Sequence, residues 1–418
     1  MNVRFERRQY LQQLIDAEDN GMIKIITGIR RCGKSFLLFN LYKQSLLNRG
    51  IPADHIIEVN LEDRRCKRLR DPDNLLTYID ARIKDARRYF VLLDEIQQVR
   101  AFEDVLNSYL HMEHVNVYVT GSNARFLSKD VVTEFRGRGW EIRIRPLSFG
   151  EYYEKVGGDK HEAFENYCVY GGLPQVVQME RPEDKQNYLK EIFETVYLKD
   201  VLQRNHLRNA DGMSELIRVL ASSLGGSINV QRISNTFKSA GKVDIGANTI
   251  ARYLGYLQDA FIISEAQRYD IKGRKYIGTQ TKFYFEDPGI RNAVVAFRQI
   301  EPGHAMENVI FNELCRLGYS VDVGLVETFG KDAQGKTLRK HLEIDFVVNR
   351  HDQRVYIQSA YRIESEEKRE QELASFRNVS DGFRKILIEG DRYATHYNEE
   401  GILVMSVYDF LLKGISRI

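Results

Sequence analysis

Residues Gly28-Ile29-Arg30-Arg31-Cys32-Gly33-Lys34-Ser35 match the pattern GxxxxGK[ST] in full. Each residue type has a physical task there. Glycines let a loop wrap closely around phosphate, where side chains would collide. Backbone N–H groups at the start of the following helix present positive dipole ends to the anion. Lys34 offers a point charge to the β and γ phosphates, and Ser35 a hydroxyl to Mg²⁺. Arg30, Arg31 and Cys32 within the loop and Phe36 just after it complete the stretch expected to bind a nucleotide.

Tyr89-Phe90-Val91-Leu92-Leu93-Asp94-Glu95 is an apolar run ending in two carboxylates. An aspartate at that edge of a strand can hold the Mg²⁺ shell with Ser35. The adjacent Glu95 can polarise a water for in-line attack on the γ-phosphate. Downstream, Val117–Thr120 ends in Thr120-Gly121-Ser122-Asn123, where Thr120 and Ser122, with Asn123 behind them, are placed to contact the γ-phosphate or the lytic water. In Phe135-Arg136-Gly137-Arg138-Gly139, Arg136 or Arg138 is a candidate for an arginine that reaches a neighbouring subunit's nucleotide and makes hydrolysis depend on assembly. No NKxD guanine-reading motif occurs, so ATP is the expected nucleotide, with Mg²⁺.

Elements must position these residues. The first 145 or so residues alternate strand-like and helix-like patterns, which predicts an α/β domain with a largely parallel sheet. Strands are read at Met22–Thr27, His55–Asn60, Tyr89–Asp94, Asn116–Thr120 and Glu141–Ile144, with helices such as Ser35–Asn48 and Phe102–Met112 between them. The phosphate motif thus sits between an apolar strand and an amphipathic helix. His55–Asn60 reads as an extra strand between the phosphate-loop strand and the Asp94 strand. Residues 146–210 read as a helical lid or linker interrupted by the Gly171-Gly172-Leu173-Pro174 turn, and a fresh α/β pattern runs from about 300 to 418.

The strings GIRRCGKSFLL, VLLDEIQ, VTGSN, GRGWEIRIRPLSFGEY and YGGLP together resemble an AAA+ family related to STAND ATPases, with an AAA_14-like core and a C-terminal DUF4143-type domain related to PD-(D/E)XK nucleases. The resemblance implies that Thr120 and Ser122 stand at the sensor 1 position. It also implies that Gly172-Leu173-Pro174 is a GxP element contacting bound nucleotide. A winged helix is expected at residues 211–290, with helices Ser214–Ser223, Val230–Ser239 and Asn248–Asp259 and then a strand pair. Its third helix offers Asn248, Arg252 and Gln258 to DNA, and its wing Arg268, Lys272, Arg274, Lys275 and Lys282 among Tyr269 and Tyr276. In the nuclease-like domain the resemblance places a helix acid at Glu313 and a strand acid at Asp345. Gln358 and Ala360 replace the remaining acid and lysine, so the domain is expected to be degenerate.

Composition sets the limits. The 418 residues exceed one compact core, and 61 basic against 59 acidic side chains leave no global field for nucleic acid or membrane. Four scattered cysteines form no CxxC pair and the nine histidines no HExxH, so neither disulfide framework nor zinc site is expected. No run approaches the roughly 18 apolar residues of a membrane span, and the N-terminal stretch lacks a signal-peptide core. The expectation is a cytoplasmic, oligomeric, Mg²⁺-dependent ATPase acting as a switch or motor, with DNA a partner through the winged helix. The alternatives are a DNA-associated, nucleotide-gated regulator with little turnover and a metal-dependent nuclease.

Overall fold

The computed structural model describes residues 5–121, 137–207, 209–239, 245–298, 300–331, 337–390 and 394–415. It divides into two compact units. One holds the chain as far as Pro146 together with Leu173–Gln178 and Leu257–Ile262; the other holds the remainder.

The first unit is built on five strands, β1 (Ile23–Thr27), β2 (Ile56–Asn60), β3 (Tyr89–Asp94), β4 (Val115–Thr120) and β5 (Gly139–Arg143). They pair in the order β2-β3-β4-β1-β5, every pair parallel. This is a P-loop NTPase sheet, as the sequence predicts. One detail differs. β2 separates the phosphate-loop strand from the Asp94 strand along the chain, but in the sheet β4 does so and β2 lies at the edge.

Parallel strands need crossovers, and the crossover helices cover both faces of the sheet. On one face Ile23, Ile25, Tyr89, Val91, Leu93, Val115, Val117 and Val119 join Leu75, Ile79, Val105 and Leu106 in one buried cluster. On the other, Tyr42 lies with its ring 6.3 Å from Phe90 and 4.6 Å from Tyr118. Tyr42 belongs to the helical run after the phosphate loop, Lys34–Phe36, Leu37–Tyr42 and Lys43–Asn48, in which the middle turn is π-wound and the backbone stays helical at each junction. Burial on both faces explains why these strands carry apolar residues without alternation.

The second unit carries β6 (Ser227–Ile228), β7 (Ile263–Asp270), β8 (Lys275–Phe285), β9 (Ser320–Lys331), β10 (Thr337–Arg350), β11 (Gln353–Ala360), β12 (Arg384–Glu389), β13 (His396–Tyr397) and β14 (Leu403–Ser406). They form one mixed sheet, ordered β13-β14-β12-β11-β10-β9-β7-β8-β6. The β7–β8 hairpin, read from sequence as part of a separate module, is continuous with the C-terminal strands through parallel pairing of Arg268–Asp270 with Val323–Leu325. Helix Pro302–Arg316 packs Phe311 against Tyr284, and helix Glu366–Arg377 buries Leu373 and Phe376 against Val347, Tyr356 and Leu387.

Truncating Phe90 should open a cavity under the helix that follows the phosphate loop. Phe90→Ala is expected to cost about 3–5 kcal/mol, whereas Phe36→Ala, at an exposed position, should cost less than about 0.5 kcal/mol. Chemical denaturation followed by fluorescence of Trp140, the only tryptophan, checks both.

Candidate functional site

The phosphate loop follows β1 and takes its shape from contacts with β5. Gly28 adopts φ 138°, and a Cβ there would stand 2.0 Å from the Ile144 carbonyl oxygen. Ile144 N–H in turn donates to Thr27 O at 2.7 Å. Only glycine fits that backbone conformation and that gap. Gly33, at φ 100°, begins the helix and would meet Pro174 Cγ at 3.8 Å, so the proline of the GGLP turn lies beside the loop. At the same turn Gly172 N–H donates to Asp287 Oδ2 at 2.7 Å.

Lys34 is buried and donates from Nζ to the carbonyls of Gly28 (2.8 Å) and Ile29 (3.1 Å). Its ammonium therefore closes the loop from within, where phosphate oxygens would compete for it. Ser35 Oγ donates to Asp94 Oδ1 at 3.0 Å, which ties the phosphate motif to the acidic end of β3. Thr120, at the end of β4, donates to the same Asp94 oxygen at 2.5 Å and accepts Glu95 N–H at 3.0 Å. One hydroxyl thus uses its single proton on Asp94 and a lone pair on the Glu95 backbone. Burial pushes the Asp94 carboxyl above its ordinary pKa, opposed first by the Thr120 and then by the Ser35 hydrogen bond. Negative charge held in a dry place with hydroxyl donors attracts a hard cation.

Glu95 follows with φ 54°, a left-handed backbone uncommon for a side chain of this kind, and it is buried. Strain of this sort persists only where the surroundings over-determine it, and it concentrates at functional sites. Gln97 Nε2 donates to Glu95 Oε2 and orients the carboxylate. Sequence reasoning missed Gln97. Its one signal is the position two residues beyond the acidic pair.

The remaining candidates divide. Cys32 is buried with Sγ against Ile144 O at 3.5 Å, so it supports the loop from beneath. Arg30 approaches Glu62 at 4.0 Å, Arg31 is exposed at φ 66°, and Phe36 is exposed. Ser122, Asn123 and Arg136 lie outside the described residues. Arg138 precedes β5, where its carbonyl accepts Ile23 N–H at 2.9 Å. That is the opposite end of the sheet from the phosphate loop, about 13 Å away along β1 at the usual rise per residue. Arg138 is exposed there, so its guanidinium is not brought to its own chain's loop.

For Mg²⁺ the donors fit. The ion favours a few protein oxygens completed by phosphate and water. Ser35 and Asp94 supply a hydroxyl and a carboxylate already in contact. Among the described residues no group of three or more His, Cys, Asp or Glu could hold a metal by itself.

In the second unit the expected placements change. Glu313 is turned to Arg316, with contacts of 2.5 and 2.8 Å, and the helix acid that faces Asp345 is Glu307. Asp345 N–H donates to Gln358 Oε1 at 3.3 Å, and Gln358 Nε2 donates to Glu372 at 3.1 Å. Two of the cations read as wing residues are used internally. Arg268 pairs with Glu343 at 2.8 Å, and Lys282 is buried against Glu307 and Glu343. A third, Lys272, donates to the Glu327 carbonyl, whereas Arg274 and Lys275 stay exposed, as do Asn248 and Arg252 on helix Ala247–Asp259. No helix among the described residues is long and apolar enough to cross a membrane.

Comparison with known proteins agrees with the geometry. The profile of an AAA domain matches residues 20–153, which contain the whole five-stranded sheet, and a domain of unknown function, DUF8612, matches residues 161–301. An uncharacterized protein of Haemophilus influenzae is 33% identical over 413 residues, covering 97% of this chain and 98% of that one. An uncharacterized protein of Methanocaldococcus jannaschii, MJ1544, is 26% identical over 400 residues, covering 93% of this chain and 85% of that one. Among solved structures, a Walker-type ATPase of Pyrococcus abyssi aligns at 16% identity and a TM-score of 0.46, over 70% of this chain and 96% of that one. With an AAA domain over its phosphate-loop sheet and the Haemophilus influenzae protein matched along nearly its full length, this chain belongs to that protein's family of P-loop ATPases.

Proposed function

We propose that this protein is a Mg²⁺-dependent ATP switch that binds and hydrolyses ATP and passes the state of its site to the residues beyond. The observation that carries this reading is the linked set Ser35–Asp94–Thr120–Glu95. It ties the phosphate loop, the proposed metal-holding acid and the proposed base in one chain of hydrogen bonds. Lys34 would exchange the loop carbonyls for β and γ phosphate oxygens. Mg²⁺ held by Ser35 and Asp94 would neutralise phosphate charge. Glu95, aimed by its left-handed backbone and by Gln97, would take the proton of the attacking water. Pro174 beside Gly33 supports the GGLP turn as the element that reports nucleotide state.

The output elements are also proposed. The order helix Ala210–Ser222, β6, helix Val230–Ser239, helix Ala247–Asp259 and the β7–β8 hairpin supports the reading of a winged helix. Asn248 and Arg252, four residues apart and exposed, would share one face toward DNA, with Arg274 and Lys275 at the hairpin turn. Arg138 is exposed at the sheet end remote from its own loop, which suits an arginine that serves a second copy. The ATPase core would span 1–145, the helical lid 146–210, the winged helix 211–290 and the nuclease-like domain 300–418.

ATP turnover of purified protein, measured with and without duplex DNA, tests the switch. Glu95→Gln should lower kcat by about 10²–10⁴-fold while nucleotide binding is retained, and Lys34→Ala should lose both. If ATP binds and no condition yields turnover, hydrolysis is not this protein's activity, and a nucleotide-gated binding protein remains.

Assembly has its own test. Arg138→Ala and Glu95→Gln should each be inactive alone, and mixing them should restore part of the activity, because each supplies what the other lacks. Turnover per protein that is independent of concentration, with no recovery on mixing, would sink the shared site.

A further inference from the structure

The second unit buries more charge than a structural sheet needs, and the charges converge. Lys282 on β8 is 4% exposed, with Nζ 2.9 Å from Glu307 and 2.7 Å from Glu343. Glu307, on helix Pro302–Arg316, also accepts the Tyr284 hydroxyl at 2.6 Å. Glu343, on β10, is closed from its other side by Arg268 on β7 at 2.8 Å. Two residues on, Asp345 accepts Ser359 N–H at 2.9 Å and Ser359 Oγ–H at 2.7 Å. Burial, and then Glu307, push its carboxyl up to about 7, against the pull of Lys282 and Ser359. Three elements, β8, helix Pro302–Arg316 and β10, therefore meet at one ammonium, and β7 closes the far side of Glu343.

A helix acid facing a strand acid in a nuclease-like fold implies a divalent metal. The residues present do not fit one. Lys282 already stands between Glu307 and Glu343, and no set of three metal-ligating acids or histidines is assembled among the described residues. We propose that Lys282 is the cluster's built-in cation, taking the place of a divalent ion and making this domain a metal-independent clamp on the β7–β8 hairpin. The charges balance on that basis. Lys282 and Arg268 match Glu307 and Glu343, and Asp345 is held separately by the Ser359 N–H and Oγ–H donors. Desolvating these ions is costly, and the arrangement holds only because each partner is present.

Balance makes a prediction that packing alone does not. Lys282→Met keeps the length of the side chain and removes its charge, leaving Glu307 buried with only the Tyr284 hydroxyl. Its melting temperature, followed by circular dichroism on the full chain, should fall by about 10 °C. Adding Glu307→Gln should recover at least half of that loss, because the uncompensated charge goes with it. If the single variant is recovered only as insoluble protein, the double variant should be soluble. A double variant less stable than the single one overturns the proposal, since two packing losses would add.

Metal supplies the second arm. Millimolar Mn²⁺ without nucleotide should leave the melting temperature of the unsubstituted protein unchanged. A rise that Asp345→Asn abolishes would show a true metal site and overturn the proposal.

Discussion

One carboxylate oxygen organises the candidate site. Asp94 Oδ1 accepts Ser35 Oγ–H from the phosphate motif and Thr120 Oγ–H from the neighbouring strand. Those two donors are 85 residues apart in sequence, since one sits at position 35 and the other at position 120. They meet because β1, β4 and β3 are adjacent and parallel, so that all three C-terminal ends open on one edge. Burial there raises the pKa of that acid, and the two hydroxyl donors oppose the rise.

The loop around that acid is built by exclusion. Gly28 has no room for a Cβ against Ile144, and Lys34 turns inward to the loop's own carbonyls. The loop therefore satisfies its polar groups internally, with the Lys34 ammonium on the carbonyls of Gly28 and Ile29. That keeps a buried ammonium from standing unpaired.

The second unit applies the same rule to a different end. Glu307, Glu343 and Asp345 are also held from within, by Lys282, Arg268, Tyr284 and Ser359. Here no ligand is needed to complete the set. Two of the cations that in one dimension look like a phosphate-gripping wing, Arg268 and Lys282, instead help fasten a hairpin into the sheet.

What could be read from the chain alone follows from locality. The phosphate motif, the apolar strand ending in Asp94-Glu95 and the strand ending in Thr120 are local patterns, with apolar runs set by burial on both faces and glycines set by backbone geometry. Strand Tyr89–Asp94 and helix Val230–Ser239 have the bounds that were read, and the other strands of the first sheet differ by one or two residues. Pairing is not local. That β4 and not β2 divides β1 from β3, that Gln97 turns to Glu95, that Glu307 and not Glu313 faces Asp345, and that Arg268 and Lys282 point inward all depend on which elements pack together. A helix presents a different residue to its neighbour for each hundred degrees of rotation, so an acid six positions away satisfies the same sequence pattern and meets a different partner. Sequence determined which residues could do chemistry here; only the tertiary packing decided which of them face one another, because charge–charge and hydrogen-bond energies depend on distances of a few ångströms that no spacing along the chain specifies.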